Sequence, residues 1–198
     1  MPGGTLRIIA GRWRSRRLVL PRSANTRPMP DRVKEAVFNI LGSYYDTPGG
    51  LPPLLVADVF AGTGSMGLEA LSRGAARCCF FERDHEAIAA LWRNIDSLAA
   101  GELSAVVCRD GWRHGTSDID GKAFDLVFLD PPYADSRDVS ERGKVRRYFA
   151  RFKELEAKPT LIVLHHPATV HYEAATGDSW SLADHRTFGT SGITIFAR

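Results

Sequence analysis

Four consecutive residues, Asp130-Pro131-Pro132-Tyr133, have a composition suited to chemistry on an amine. Two prolines in a row end a strand and stiffen the turn after it, and they hold the preceding Asp130 extended. The Asp130 carboxylate and the Pro131 carbonyl then form a rigid pair of hydrogen-bond acceptors beside the Tyr133 ring. This pair predicts a site that grips the N–H groups of an exocyclic amine and aims the nitrogen lone pair at a methyl donor.

A glycine-rich loop at residues 60–64 follows a predicted buried strand at 54–60. Gly62, Gly64 and Gly67 have the spacing of a nucleotide-binding turn, and Glu82 lies about 20 residues further on, where a ribose-binding acid is expected. The loop therefore predicts an adenosine-type cofactor. A nicotinamide or flavin dinucleotide fits this pattern. With Asp58, however, the loop has the pattern Asp-x-Phe-x-Gly-x-Gly, which resembles the first motif of S-adenosyl-L-methionine-dependent methyltransferases.

Polar residues follow four successive predicted strands at the points where those strands end. They are the loop at 61–64, Glu82, Asp110 and Asp130. Because the carboxyl ends of parallel strands share one crevice, we expect these residues to meet in a single site. Each acid alone is also typical of a turn or a helix cap.

The hydrophobic pattern predicts the elements that position this site. Strands are expected at 54–60, 76–81, 103–108, 124–129 and 160–165, with a terminal hairpin at 180–185 and 193–197. Helices are expected at 30–41, ended by Gly42, and at 67–74, 86–98 and 142–155. Alternating strands and helices indicate an α/β fold with a mainly parallel sheet and right-handed crossovers. One domain is predicted, with a core at 23–198 and a hairpin extension at 1–22.

The amino-terminal end of the chain is strongly basic. Residues 1–34 contain nine basic side chains against Asp31 alone, while the remainder has 17 basic and 22 acidic residues. Arginines alternate with apolar residues around Gly11, which predicts a hairpin with one face toward phosphates. A solvated edge hairpin is the simpler alternative. The RNA-binding candidates are Arg7, Arg12, Arg14, Arg16, Arg17, Arg27 and Arg32.

Composition sets the remaining limits. The chain has 198 residues, 44% hydrophobic and 25% charged, which is ordinary for a globular protein. It has no apolar run of membrane-spanning length and no signal-peptide pattern, so a cytoplasmic location is expected. The three cysteines form no CxxC pair and the six histidines have no ligand spacing, so no metal is expected.

The motifs resemble those of a known family. Asp58-x-Phe60-Ala61-Gly62-Thr63-Gly64, with Asp130-Pro131-Pro132-Tyr133, resembles the class I S-adenosyl-L-methionine-dependent amino-methyltransferases. Within that class, stretches at 7–18, 27–41 and 67–75 resemble the bacterial 16S ribosomal RNA guanine-N2 methyltransferases. The chain departs from the family at Ser15, usually glycine, at Met29-Pro30, and at His165-His166, usually Glu-His.

The resemblance implies a Rossmann-like class I methyltransferase fold: a mainly parallel seven-stranded sheet with helices on both faces, plus a basic N-terminal β-hairpin. It implies roles for individual residues. Phe60, Ala61, Gly62, Thr63 and Gly64, with Asp58, border the methionine part of the cofactor. Glu82 binds the ribose, Arg83 or Asp84 lies near the adenine, and Asp110, Gly111 and Trp112 surround it. Asp130, Pro131, Pro132 and Tyr133 form the catalytic motif that holds the guanine.

The resemblance also implies an enzyme whose cofactor is S-adenosyl-L-methionine and whose partner is 16S rRNA, within the small ribosomal subunit, with the enzyme acting as a monomer. Other amino-methyltransferases remain open, acting on adenine N6 or on a glutamine amide. A dinucleotide-dependent oxidoreductase and a non-catalytic RNA-binding protein are more distant alternatives. The chain has no Tyr-x-x-x-Lys pattern, which argues against the oxidoreductase.

Overall fold

The computed structural model describes residues 6–21, 29–113, 120–151, 161–173 and 180–198. The helices are α1 (Asp31–Tyr44), α2 (Ser65–Arg73), α3 (His85–Ser97) and α4 (Lys144–Ala150). The strands are β1 (Leu55–Val59), β2 (Arg77–Glu82), β3 (Ser104–Cys108), β4 (Leu126–Leu129), β5 (Leu161–Pro167), β6 (Ser181–Phe188) and β7 (Ser191–Ala197). The strands predicted from residue 54 onward are therefore confirmed to within a few residues.

The seven strands form one sheet in the order β3-β2-β1-β4-β5-β7-β6. β1 to β5 pair in parallel, and β7 joins β5 and β6 antiparallel. The order reverses at β1, whose neighbours are β2 and β4. In open parallel sheets a crevice for ligands opens beyond the carboxyl ends of the strands at such a reversal. The expected doubly wound α/β architecture is confirmed.

Alternating strand residues cover the two faces of the sheet, as a period of two requires. Val56, Phe80 and Phe128 pack with side chains of α1, α2 and α3 on one face. Val59 and Leu129 pack with α4 on the other face. Cys78 and Cys79 are both fully buried, on opposite faces, as small apolar side chains. Helices on both faces exclude water from the central strands. The polar residues that follow these strands therefore lie along the carboxyl ends of the strands.

Helix α1 is longer than the sequence predicts. Gly42 was expected to end it, but Gly42 is buried within the helix, which continues to Tyr44. Asp46 makes the left-handed turn after the helix, with φ 51°. The expectation was wrong because a glycine ends a helix only where its φ becomes positive, and that of Gly42 does not.

The N-terminal hairpin, residues 6–21, is a short antiparallel turn rather than two regular strands. Arg7 pairs with Arg17 in a single bridge, and Ser15 N–H donates to the Ile8 carbonyl at 2.9 Å. Ser15 has a φ of 69°, the left-handed conformation that glycine adopts with less strain. The departure at Ser15 thus preserves the turn. Ile8 and Leu18 are buried in the main core, so the hairpin belongs to the packed body of the protein.

Within the described residues, no helix has both the length and the apolar character needed to span a membrane. They also contain no cluster of three or more His, Cys, Asp or Glu side chains that could hold a metal ion.

Candidate active site

The glycine loop, residues 60–64, leaves β1 in a left-handed conformation. Phe60, Gly62 and Gly64 have φ values of 65°, 55° and 80°. The Phe60 and Ala61 N–H groups both donate to the Phe81 carbonyl, at 3.0 and 3.1 Å, which ties the loop to the end of β2. A Cβ on Gly64 would lie 2.4 Å from Leu91 Cδ1, whereas one on Gly62 would meet nothing within 4 Å. The packed side of the loop therefore requires glycine, and the open side leaves room for a ligand.

Glu82, at the end of β2, organises the same loop. Its Oε2 accepts a hydrogen bond from Gly62 N–H at 2.9 Å, and its Oε1 accepts from the N–H groups of Arg83 and Asp84 at 2.8 and 2.9 Å. A carboxylate has about four lone-pair positions, so Oε2 can accept one more donor. The half-exposed carboxylate thus joins two loops and keeps an acceptor for a ligand hydroxyl.

Asp110 and Trp112 form a second wall after β3. Asp110 Oδ1 accepts from Trp112 N–H at 3.0 Å, and the exposed Arg83 Nη1 lies 3.4 Å from Asp110 Oδ2. The Trp112 ring meets the Phe60 ring edge to face at 5.0 Å, and Gly111 lies against that Phe60 ring. Trp112 Nε1 donates to Asp135 Oδ2 at 2.9 Å. Asp135, which sequence reasoning missed, joins this wall to the loop that contains the proline pair.

The Asp130 side chain opens toward the cleft. Its backbone N–H donates to the Val59 carbonyl at 3.2 Å, so it lies directly beside the start of the glycine loop. The carboxylate is 36% exposed, and its Oδ1 lies 2.7 Å from His165 Nδ1. Pro131 is buried, Pro132 is exposed and Tyr133 is half-buried. The structure thus brings the acid and the aromatic ring to the crevice beside residues 60–64.

Asp58 lies beneath the loop instead of within the cleft. Its side chain is buried, 2% exposed, and Oδ2 accepts from Gly67 N–H in α2 at 2.8 Å. Burial raises the pKa of Asp58 to about 8, and the nearby charges of Asp130 and Glu82 raise it further. The carboxyl group of Asp58 therefore fixes the start of α2, and the structure does not place it in the cleft, where the sequence predicted a cofactor contact.

Two substitutions separate the hydrogen bond of Asp58 from its charge. Asp58→Ala leaves Gly67 N–H unpaired, and we expect a loss of about 1–3 kcal/mol in unfolding free energy. Asp58→Asn keeps an acceptor and should stay within about 1 kcal/mol of the wild type at pH 5. The raised pKa means that Asp58 keeps a proton in the native state that it loses in the unfolded state, so its contribution to stability falls as pH rises toward 8.

Denaturant unfolding of the wild type and of Asp58→Asn, at pH 5 and at pH 8, measures how the charge of Asp58 changes the free energy of unfolding. The stability difference should move in favour of Asp58→Asn at the higher pH, because other titrating groups are common to both proteins. A difference that is independent of pH would mean that Asp58 is ionised throughout the range.

The predicted RNA-binding arginines occupy different environments. Arg12 Nη2 donates to the Leu71 carbonyl in the last turn of α2, and Arg16 Nη2 donates to the Ser97 carbonyl at the end of α3. Arg7 pairs with Asp31 at 2.9 Å. Arg14 and Arg17 are exposed. The hairpin arginines therefore partly cap helices, which sequence spacing could not indicate.

Two further candidates lie outside the hairpin. Arg27 falls outside the described residues. Arg32, at the start of α1, is exposed, and its Nη2 would lie 3.6 Å from a Cβ on Gly189. Gly189 lies in the β6–β7 turn beside Ser191, whose Oγ is 3.1 Å from Tyr133 Oη. Arg32 thus lies near the rim of the site.

Comparison with known proteins identifies the family and the fold of this chain. Residues 6–197 match the family described as "Conserved hypothetical protein 95". A protein of Bacillus subtilis, "Putative rRNA methyltransferase YlbH", is 31% identical over 98% of this chain and 99% of its own length. "Ribosomal RNA small subunit methyltransferase D" of Haemophilus influenzae is 40% identical over 66% of this chain and 65% of its own length.

A solved structure from Escherichia coli, "Putative methyltransferase yhhF", covers 98% of both chains with a TM-score of 0.77 and 30% identity. The resemblance to a family of ribosomal RNA methyltransferases is thereby confirmed, as is the Rossmann-like class I methyltransferase fold. The chain belongs to the family described as "Conserved hypothetical protein 95" and is a methyltransferase similar to ribosomal RNA small subunit methyltransferase D.

Proposed function

We propose that this methyltransferase uses S-adenosyl-L-methionine to methylate the exocyclic N2 of a guanine in 16S ribosomal RNA. The observation that carries the proposal is the partly exposed Asp130 carboxylate. It lies beside the glycine loop, at the point where the strand order reverses. The names of the relatives support a ribosomal RNA substrate.

The residues on one side of the crevice fit the cofactor. The open side of Gly62 leaves space along the loop for the methionine part, and Glu82 Oε2 retains an acceptor for a ribose hydroxyl. Asp110 and Trp112 supply a carboxylate and an aromatic wall for the adenine, with Gly111 beside the ring and Arg83 near it. The bound cofactor supplies an electrophilic methyl carbon attached to a sulfonium.

The residues on the other side fit an aromatic amine. The lone pair of such an amine is delocalised into its ring, so the nitrogen is a poor nucleophile. Asp130 and the Pro131 carbonyl accept its N–H groups and hold the lone pair in line for transfer. As positive charge develops on the nitrogen, the fixed Asp130 carboxylate stabilises it without reorganising. Tyr133 offers a ring for stacking, worth about 1–3 kcal/mol per base in single-stranded RNA.

Basic surface next to the site suits a polyanionic substrate. A cavity of about 480 Å³ lies beside Asp110 and Trp112, and its other lining residues are mostly cationic: Arg113, Lys144, Arg147, Arg151 and Tyr148. On the other side, the buried Lys34 Nζ contacts the Arg7 carbonyl and Ser65 Oγ, which holds the base of the N-terminal hairpin near the start of α2. Arg14 and Arg17 of this hairpin are exposed and form the second basic surface. Both surfaces can bind backbone phosphates, which gives affinity independent of sequence.

The exposed arginines of the hairpin provide a test of RNA binding. We expect Arg14→Ala with Arg17→Ala to weaken RNA binding and to reduce the slope of log K against log [salt] by about 1.4–1.8 in magnitude, because each phosphate contact contributes about 0.7–0.9. Arg186→Ala, an exposed arginine of β6 at the opposite edge of the sheet, is the control. Binding should be measured by fluorescence anisotropy at several salt concentrations. An unchanged slope would mean that the hairpin arginines only maintain the fold.

Methyl transfer identifies the substrate directly. Small subunits, and separately protein-free 16S RNA, from a bacterial strain that lacks the modification should be incubated with the enzyme and labelled S-adenosyl-L-methionine. Nucleoside analysis should then show N2-methylguanosine. N6-methyladenosine, or label in protein glutamine, would reject the guanine assignment. Calorimetry should show binding of S-adenosyl-L-methionine and none of NADPH.

A further inference from the structure

His165 lies beside the catalytic motif because of strand register. β4 and β5 pair in parallel with Leu129 opposite Leu164, so the next residues, Asp130 and His165, lie side by side. β4 ends before Asp130, whereas His165 remains in β5 and pairs with Ile193 of β7. His165 is buried, with 8% of its surface exposed. It lies at the same sheet edge as the glycine loop, although the sequence assigned it no role.

The imidazole contacts both functional side chains of the motif. Its Nδ1 lies 2.7 Å from Asp130 Oδ1, and its Nε2 lies 3.2 Å from Tyr133 Oη. Tyr133 Oη also lies 3.1 Å from Ser191 Oγ in β7. The acid and the aromatic ring are thus connected through one histidine and anchored to a third strand.

The chemistry of the partners determines the direction of these hydrogen bonds. An ionised carboxylate only accepts, so Nδ1–H of His165 donates to Asp130. In the neutral ring, Nε2 then accepts from the Tyr133 hydroxyl. Among the described residues, Asp130 Oδ1 has this partner and Oδ2 has none, so Oδ2 is the oxygen that can receive an amine.

The neighbouring His166 shows what a purely structural histidine looks like here. It is fully buried on the other side of β5, where Nε2 contacts Thr194 Oγ1 at 2.7 Å and Nδ1 contacts the Pro167 carbonyl. Burial lowers the pKa of His166 to about 4. Burial also acts to lower the pKa of His165, but the charge and hydrogen bond of Asp130 outweigh it and raise that pKa. The pKa values of the two adjacent histidines are therefore shifted in opposite directions.

We propose that His165 is a positioning residue for methyl transfer: it fixes Asp130 Oδ1 so that Oδ2 faces the amine, and it fixes the edge of the Tyr133 ring. This inference rests on the proposed function. His165 acts through Asp130 and Tyr133, so its loss should affect the rate of transfer more than cofactor binding.

Three substitutions at this position separate its contacts. In His165→Asn, the side-chain amide can place a donor where Nδ1 lies, and the link to Tyr133 is lost. In His165→Gln, the longer side chain places its amide near Nε2, and the link to Asp130 is lost. His165→Leu removes both links. The exposed His171 provides the control substitution His171→Leu.

Steady-state kinetics should show a loss in kcat. We expect His165→Leu to lower kcat by about 10- to 100-fold, because a misplacement of about 1 Å can cost about 100-fold. His165→Asn should recover most of that loss, while the KM for RNA and the Kd for S-adenosyl-L-methionine stay nearly unchanged. An unaltered kcat in His165→Leu would overturn the proposal. If that variant does not fold, equal kcat values for the Asn and Gln variants would overturn it.

A measurement without RNA separates this inference from the proposed function. In ¹⁵N NMR of the intact protein, the His165 pKa should fall in Asp130→Asn and stay unchanged in Asp138→Asn. An unchanged value in both variants would overturn the contact itself. Absence of methyl transfer by the wild type would instead reject the proposed function, whatever the NMR titration shows.

Discussion

Asp130→Ala should lower kcat for methyl transfer by about 1,000-fold, the upper end of what removal of one transition-state contact costs. The Asp130 carboxylate lies at the cleft, and among the residues that the structure describes His165 contacts only its Oδ1. Its proposed partner is the amine of the substrate, where positive charge develops during transfer. The Kd for S-adenosyl-L-methionine should therefore stay within about threefold of the wild-type value, since the proposed contact of Asp130 is with the amine and not with the cofactor.

Single-turnover methyl transfer and calorimetric titration of S-adenosyl-L-methionine measure these two quantities. Asp138→Ala is a matched control, because Asp138 is exposed in the same connection and contacts Ser140. A collapse in cofactor affinity in Asp130→Ala would assign this residue to the cofactor site. A kcat like that of the control would remove Asp130 from the mechanism.

Glu69→Gln should destabilise the protein by about 3–5 kcal/mol, the usual cost of leaving a buried charge without its partner. Glu69 is fully buried in α2, as is Lys34, and Arg73 is nearly so. Its Oε1 lies 2.8 Å from Arg73 Nε, and its Oε2 lies 3.6 Å from Lys34 Nζ. Glutamine has nearly the same shape but leaves two buried cations uncompensated.

The same carboxylate also holds the N-terminal hairpin. Ile9 N–H donates to Glu69 Oε2 at 2.7 Å, and Ala10 N–H donates to Oε1 at 3.0 Å. The amide nitrogen of glutamine is a donor, so in Glu69→Gln one of these N–H groups meets another donor. We therefore expect faster amide hydrogen exchange at Ile9 and Ala10 in addition to the global loss.

Denaturant unfolding monitored by circular dichroism measures the global effect, and hydrogen exchange measures the local one. Glu35→Gln on the exposed face of α1 is the control and should change stability by less than about 0.5 kcal/mol. If Glu69→Gln were as stable as that control, the buried charge cluster would contribute nothing. If only the exchange rates changed, the hairpin would unfold separately from the core.

The basic N-terminal hairpin is also connected to the glycine loop. The sequence suggested an extension attached to a core, but Asn94 in α3 joins the hairpin to the glycine loop. Its Nδ2 donates to the carbonyls of Val19 and Thr63, at 3.1 and 3.0 Å, and its Oδ1 accepts from Val19 N–H. RNA bound at the hairpin would therefore contact a surface rigidly connected to residues 60–64.

The described strands and the site at their carboxyl ends were largely predictable from local sequence. Apolar runs predicted these strands, and the glycines marked the loop at 60–64, where Phe60, Gly62 and Gly64 have positive φ values. Parallel pairing then requires that loop, Glu82, Asp110 and Asp130 to share an edge. These features depend on residues within a few positions of each other, so the sequence carries them directly.

Contacts between distant residues could not be predicted in this way. His165 is 35 residues from Asp130 and 32 from Tyr133, and Arg16 is 81 residues from the Ser97 carbonyl that it caps. Without knowledge of these partners, the sequence assigned His165 no role and suggested that Arg16 binds RNA. The sequence likewise predicted Asp58 to lie in the cleft, and only the structure shows that its side chain is buried.

The sequence by itself determined the order of strands and helices, the loop that must be glycine and the rigid Asp-Pro-Pro-Tyr turn, because each follows from local backbone preferences. Only the tertiary structure decided which oxygen of Asp130 is free, which arginines cap helices and which carboxylates are buried. The physical reason is that charge, burial and hydrogen-bond direction depend on neighbours that strand register and helix packing bring together.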